Sequence, residues 1–152
     1  ELVAALKTFN RPIIFTMPNA DTSGRIITQV IKEFISNHPS ARFVENFGTR
    51  DYLSMMAHAG VMVGNSSSGI IEAPSFKLPV VNIGTRQHGR TRAANVIDVG
   101  YGREEIADGI YNALQPAFRQ DLSNLINPYG TGDAAAIIVE RLKTVSLIEK
   151  NI

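Results

Sequence analysis

Val61-Met62-Val63-Gly64-Asn65-Ser66-Ser67-Ser68-Gly69-Ile70-Ile71-Glu72 is the stretch whose reading decides the fold. Val61 to Val63 have the composition of a buried strand, a loop of small residues follows, and Ile70-Ile71 open a helix. A helix start leaves backbone N–H groups without partners and carries partial positive charge, so it attracts an anion such as phosphate. Gly64 and Gly69 let the backbone come close, the hydroxyls of Ser66, Ser67 and Ser68 add donors, and Asn65 is placed to bond back to the loop. Glu72 stands five residues beyond Ser67, roughly 7.5 Å along a helix that rises about 1.5 Å per residue. A carboxylate offers two acceptor oxygens, which suits the paired hydroxyls of a ribose and does not suit phosphate. The spacing therefore separates a diphosphate-holding loop from a ribose-holding acid. Taken singly, a serine cap and a first-turn acid have plainer explanations. Their conjunction after a buried strand points to a nucleotide diphosphate.

The same alternation extends outward. Before this stretch, Ile13 to Met17 is a short apolar run of strand length. A helix with apolar positions Ile26, Ile27, Val30, Ile31, Phe34 and Ile35 follows, with Thr22 or Ser23 as its cap and His38-Pro39 as its stop. Ala41 to Phe47 is a second strand and Thr49 to His58 a helix. After it, Pro74 and Pro79 confine the helix that starts at Gly69, Val80 to Ile83 is a fourth strand, and Asn95 to Val99 a short fifth. Glu104 to Leu114 and Ala134 to Leu142 have helical periodicity, with the turn-rich Asn127 to Gly132 between them. Strands alternating with helices predict an α/β fold, a Rossmann-like parallel sheet with helices on both faces. Ligands bind such sheets beyond the carboxyl ends of the strands. That rule gathers Pro18-Asn19, Gly48-Thr49, Gly64 to Ser68 and Gly84 to Arg86 on one rim.

The 152 residues suffice for one domain, and the expectation is a single nucleotide-binding domain over residues 1–152. A formal net charge of +1 with interspersed charges argues against nucleic acid or a membrane surface as partner. Cysteine is absent, which removes disulfides and thiolate metal sites and is compatible with a reducing compartment. No apolar run approaches the roughly 20 residues of a membrane span. The opening residues Glu1 to Phe9 have helical character and lack an initiating methionine, so a domain cut from a larger protein is expected. Neither G-x-G-x-x-G nor G-x-x-x-x-G-K-[ST] occurs, so dinucleotide dehydrogenases and P-loop enzymes lack their signatures here.

Gly64 to Glu72, then Leu78-Pro79-Val80-Val81-Asn82-Ile83-Gly84-Thr85-Arg86-Gln87, Gly89-Arg90 and Asn95-Val96, closely resemble the hydrolysing UDP-N-acetylglucosamine 2-epimerases of sialic-acid and related nonulosonate pathways. Phe15 to Ala20, Ala57 to Gly60 and Asn127 to Gly130 match the family too, so the resemblance covers most of the chain. It implies one half of a glycosyltransferase-B-like two-domain architecture, the C-terminal half, with the N-terminal domain as partner. It also implies UDP or a UDP-sugar as ligand, no further cofactor, no metal, a cytoplasmic enzyme and a homo-oligomer at full length. By the resemblance Ser66 and Ser67 hold the diphosphate, Glu72 the ribose and Arg86 the nucleotide phosphate region. Asn19 contacts the nucleotide, and Gly69 belongs to the same nucleotide-binding set. For Arg86 the residues themselves agree, because a guanidinium after a strand end suits phosphate.

The family reaction removes the proton at carbon 2, expels UDP and adds water to give N-acetylmannosamine, and its acid and base groups lie in the N-terminal domain. Asp21, Asp51 and Glu72 show no pairing suited to acid–base work. His38 and His58 read as structural and His88 as a solvent-facing loop residue. No catalytic residue is therefore expected in this chain. Two rivals stay open at this level, a nucleotide-sugar glycosyltransferase half and a non-catalytic nucleotide-binding module, and the base, uracil or guanine, is undetermined.

Overall fold

A computed structural model describes residues 1–18 and 24–145. Helix α1 (Leu2–Leu6) leads to β1 (Ile13–Thr16), α2 (Gly24–Ser36), β2 (Ala41–Val44), α3 (Gly48–His58) and β3 (Met62–Gly64). Then come α4 (Ser68–Ile71), a 3₁₀ turn (Ala73–Phe76), β4 (Val80–Ile83), β5 (Val96–Val99), α5 (Arg103–Ala113), α6 (Pro116–Asp121) and α7 (Ala134–Thr144). The expected cap at Thr22 or Ser23 lies outside the described residues. Helix α6, which starts on Pro116, was not anticipated from the sequence: it has no amphipathic stripe to betray it, and it is held to the body by Arg119, whose Nη2 donates to the Ala59 carbonyl at 2.8 Å.

Every strand pairing is parallel, as the alternation requires. The single five-stranded sheet is not realised in the backbone. Hydrogen bonding among the described residues forms two ladders, β1–β2 and β3–β4–β5. Between them lies a largely apolar cavity of about 500 Å³, walled by Ile13 and Ile14 of β1 and by Val61, Met62 and Val63 at β3. Side chains join what the backbone leaves apart. One core cluster contains Ala5 and Leu6 of α1, Phe34 of α2, Val81 of β4 and Ile106 and Ile110 of α5, with Phe15 and Val63 packed against it. Strands of three and four residues carry few ladder bonds, so burial on the helices α1 and α5 sets their placement.

The three-stranded ladder has helices on both faces. Val81 packs toward α5, while Val80 joins Met56 of α3, Ala73 and Leu78 in a second cluster. Consecutive β4 side chains thus enter opposite layers and both are buried, which is why the run reads as uninterrupted apolar sequence. Two helical stripes are covered less than their periodicity suggests. Of the apolar stripe of α2 only Ile31 and Phe34 are buried, and Ile26, Ile27 and Val30 are exposed. Helix α7 buries no residue. His38 stacks on Phe34 with ring centroids 4.3 Å apart, the structural role expected of it. Among the described residues no helix is long and apolar enough to cross a membrane.

Ile106, 1% exposed, is shared by both ladders through the larger cluster. Ile106→Ala should lower unfolding free energy by about 2–5 kcal/mol in urea titrations. The control Ile126→Ala, at a site 77% exposed, should stay within about 0.5 kcal/mol of the parent.

Candidate functional site

Beyond the carboxyl ends of β1, β2 and β3 lies an open cleft of about 600 Å³, a size suited to a small-molecule ligand. Thr16 and Met17 come from the end of β1, Glu45 to Thr49 from the β2–α3 connection, and Ser66, Ser68 and Glu72 from the segment after β3. Of the four expected rim loops, Gly48-Thr49 and Gly64 to Ser68 contribute to the cleft, and the first is represented only by the end of β1 that precedes it. The fourth, Gly84 to Arg86, stands beside the cleft rather than in its walls. Asn19 lies outside the described residues.

The loop after β3 is built from very local bonds. The Ser68 N–H donates to Ser66 Oγ at 3.3 Å, and the Gly69 and Ile70 N–H groups donate to the Ser66 and Ser67 carbonyls at 3.2 and 2.9 Å. Among the described residues the Ser66 and Ser67 amides donate to no protein acceptor, so two N–H groups remain for a ligand. Ser67 occupies the N-cap position without a side-chain cap bond, leaving its hydroxyl uncommitted. The missing Cβ of Gly69 does not open the backbone to the cleft. A Cβ there would come within 2.8 Å of Val80 Cγ1, so the glycine lets the helix start lie directly on β4.

The helix that follows is shorter than expected. α4 spans four residues and gives way to the 3₁₀ turn, because Pro74 has no N–H and its ring would collide with the carbonyl four residues back. Lys77, in the left-handed region at φ 52°, ends the turn. A macrodipole needs length, so anion attraction here rests on the local amides and hydroxyls. Glu72 sits at the junction of the two helical pieces and so turns into the cleft. Its Oε2 is shielded from solvent yet accepts no hydrogen bond from a described residue. A buried carboxylate oxygen without a donor is costly, and a ligand hydroxyl would relieve it.

Two braces hold this segment. Asn127 Nδ2 donates to the Ile71 carbonyl at 2.8 Å and to Ser75 Oγ at 2.7 Å, on either side of Glu72. The Tyr129 N–H donates to Asn127 Oδ1 at 2.9 Å and the Tyr129 hydroxyl to the Thr91 carbonyl at 3.0 Å. The Asn-Pro-Tyr-Gly turn, legible in the sequence only as a turn, is a strap between the Glu72 segment and the β4–β5 loop. Gly84 leaves β4 at φ 73°, and a Cβ on it would meet the Tyr101 ring at 2.2 Å. The turn therefore requires glycine. Next to it the Thr85 hydroxyl lies 3.4 Å from the Tyr101 phenol oxygen and the Thr85 N–H donates to it at 3.2 Å, which together hold that phenol below its ordinary range. Arg86 follows on the exposed face of this loop, and His88 is exposed as well.

Glu45, missed in the sequence because it ends an ordinary strand, shares the cleft with Glu72. Only the meeting of the two ladders brings it there. Among the described residues no group of three or more His, Asp or Glu side chains could hold a metal ion.

Residues 1–143 match the family model described as UDP-N-acetylglucosamine 2-epimerase. The chain belongs to this family. Within it, the chain is 42% identical over 144 residues to a UDP-N,N'-diacetylbacillosamine 2-epimerase (hydrolyzing) of Legionella pneumophila, covering 95% of this chain and 37% of that protein. It is 47% identical over 90 residues to a GDP/UDP-N,N'-diacetylbacillosamine 2-epimerase (hydrolyzing) of Campylobacter jejuni, covering 59% of this chain and 23% of that protein. A UDP co-structure of S. aureus MnaA superimposes with a TM-score of 0.76 at 19% identity, covering 93% of this chain and 39% of that one, a likeness of fold. The chain thus spans little more than a third of the length of the epimerases it matches.

Asn127→Ala removes donors on both sides of Glu72. It should lower stability by about 1–3 kcal/mol, and hydrogen–deuterium exchange should quicken in residues 71–76 while β4 stays protected.

Proposed function

We propose that residues 1–152 form the nucleotide-binding domain, the C-terminal half, of a hydrolysing 2-epimerase that acts on a UDP-linked N-acetylated sugar. In this reading Ser66 and Ser67 take the diphosphate, Glu72 the ribose hydroxyls, and Arg86 and Asn19 approach the nucleotide from neighbouring loops. The observation that carries it is the shielded, donor-less Oε2 of Glu72 in the same cleft as Ser66. An acid that only capped a helix would be solvated or bonded to backbone N–H. Gly69 serves by bringing the loop against Val80.

The chemistry assigned to the whole protein is abstraction of the sugar's carbon-2 proton with departure of UDP, then addition of water to give the 2-epimeric free sugar. Binding the departing diphosphate through N–H and O–H donors stabilises the charge that develops as the bond breaks. The acid and base groups are assigned to the other part of the longer protein, in keeping with the fraction of its relatives that the chain spans. The Legionella and Campylobacter names favour a diacetylated sugar of the bacillosamine type over plain N-acetylglucosamine. A cytoplasmic, homo-oligomeric whole enzyme, which the family resemblance implies, completes the proposal.

Isothermal calorimetry of the chain with UDP, GDP and UDP-N-acetylglucosamine tests this. UDP should bind, and Glu72→Ala should weaken it about 10- to 100-fold, the loss of hydrogen bonds to a charged acceptor. Unchanged affinity in that variant removes the ribose assignment, and absence of all nucleotide binding to the wild-type chain overturns the reading.

A further inference from the structure

Gln87 is buried, 3% exposed, although it belongs to the polar β4–β5 loop whose neighbours Arg86 and His88 are exposed. Its Nε2 donates to the main-chain carbonyl of Asn65 at 2.8 Å, across 22 positions of sequence. Asn65 directly precedes Ser66. The other hydrogen bonds of residues 65–68 among the described residues stay within the turn and the start of α4. The Gln87 amide is thus the bond that ties the serine loop to another element.

Gln87 is itself anchored. Arg92 Nη2 donates to the Gln87 carbonyl at 3.1 Å, and Arg92 Nε pairs with Asp98 Oδ2 at 2.8 Å. Asp98 Oδ1 accepts from Nδ2 of Asn82 at 2.6 Å, and Asn82, 1% exposed in β4, stands in register with Gly64 at the end of β3. The path closes on itself: Gly64, Asn65, Gln87, Arg92, Asp98, Asn82 and back to Gly64. The Arg92–Asp98 link is a charge contact, because Arg92 Nε makes no hydrogen bond, and Gln87 Oε1 is buried without a donor, so the Nε2 bond to Asn65 is the one hydrogen bond the Gln87 side chain makes among the described residues.

We propose that Gln87 is a positioning residue of the nucleotide site. It fixes the Asn65 carbonyl, so the Ser66 hydroxyl and the Ser66 and Ser67 amides face the cleft in one geometry, and it raises nucleotide affinity without touching the ligand. The inference rests on the nucleotide reading above and adds a residue outside the cleft to it. The chemistry demanded at position 87 is a donor, because the partner is a carbonyl oxygen. Methionine preserves length without a donor. An ionised glutamate sets an acceptor against an acceptor, while a protonated glutamate regains one O–H donor. Desolvation at this buried position favours the protonated form as pH falls.

The test compares the wild-type chain with Gln87→Met and Gln87→Glu, each checked for retained secondary structure by circular dichroism. Exchange of the Gly69, Ile70 and Ile71 amides, which donate to the Ser66 and Ser67 carbonyls, should run about tenfold faster without ligand in Gln87→Met, with β4 and α5 unchanged, and UDP affinity by calorimetry should fall by about the same factor. In Gln87→Glu the loss relative to wild type at the same pH should be full at pH 8 and shrink toward pH 5.5, a recovery that a merely structural defect would not produce. Unchanged exchange at Gly69, Ile70 and Ile71 and unchanged affinity in both variants overturn the proposal. So does loss of protection spread over β3, β4 and β5 with no recovery at low pH. Failure of the wild-type chain to bind UDP overturns the nucleotide reading instead, and the ligand-free exchange then decides by itself whether Gln87 holds the loop.

Discussion

The structure depends on the burial of β4 on both of its faces. Val80 and Val81 are consecutive residues in opposite hydrophobic layers, and Asn82 continues the strand with its amide bonded to Asp98. A strand so placed can accept a helix start on top of it only where a side chain is missing, and Gly69 supplies that gap against Val80. The position of the serine loop follows from this contact, and the cleft follows from the loop. Gly84, at the strand's end, sends the next loop away over Tyr101, so two consecutive rim loops are placed by the two ends of one contact surface.

Within the cleft the physical tension is between a carboxylate and a loop with unpartnered N–H donors set close together. Placing Glu72 directly at a long helix N-terminus would let the dipole and the amides neutralise it. The proline-limited α4 and the 3₁₀ turn after it instead leave Glu72 at a junction, with one oxygen shielded and unpartnered. Asn127 bonds to backbone and hydroxyl on each side of that junction and leaves the carboxylate alone. The free donors of the loop and the free acceptor of Glu72 are kept apart by this break in the helix.

The joining of the two ladders by side chains gives the cleft two kinds of wall. Thr16, Glu45 and Thr49 belong to the β1–β2 side, and Ser66 and Glu72 to the β3–β4–β5 side. A ligand spanning the cleft touches both. The match over residues 1–143 establishes membership of the UDP-N-acetylglucosamine 2-epimerase family for a chain that spans only about a third of its relatives' length.

By itself the sequence determined the order and type of the long elements and the parallel sense of the strands. Buried strands, proline stops and helical periodicity are local properties, and Val80 to Ile83 matches its expected bounds to the residue. It also placed Ser66 and Glu72, which both line the cleft, in one contiguous run. Tertiary structure alone decided what depends on meetings between distant residues. It set the split of the sheet into two ladders, the entry of Glu45 into the cleft and the Asn127 brace, and it gave Gly69 a packing role against Val80. It also carried Gln87 from an apparently solvated loop into a buried bond with Asn65. No window of sequence encodes these, because a side chain's hydrogen-bond partner is chosen by burial, where an unmet donor is costly, and burial is a property of the packed whole.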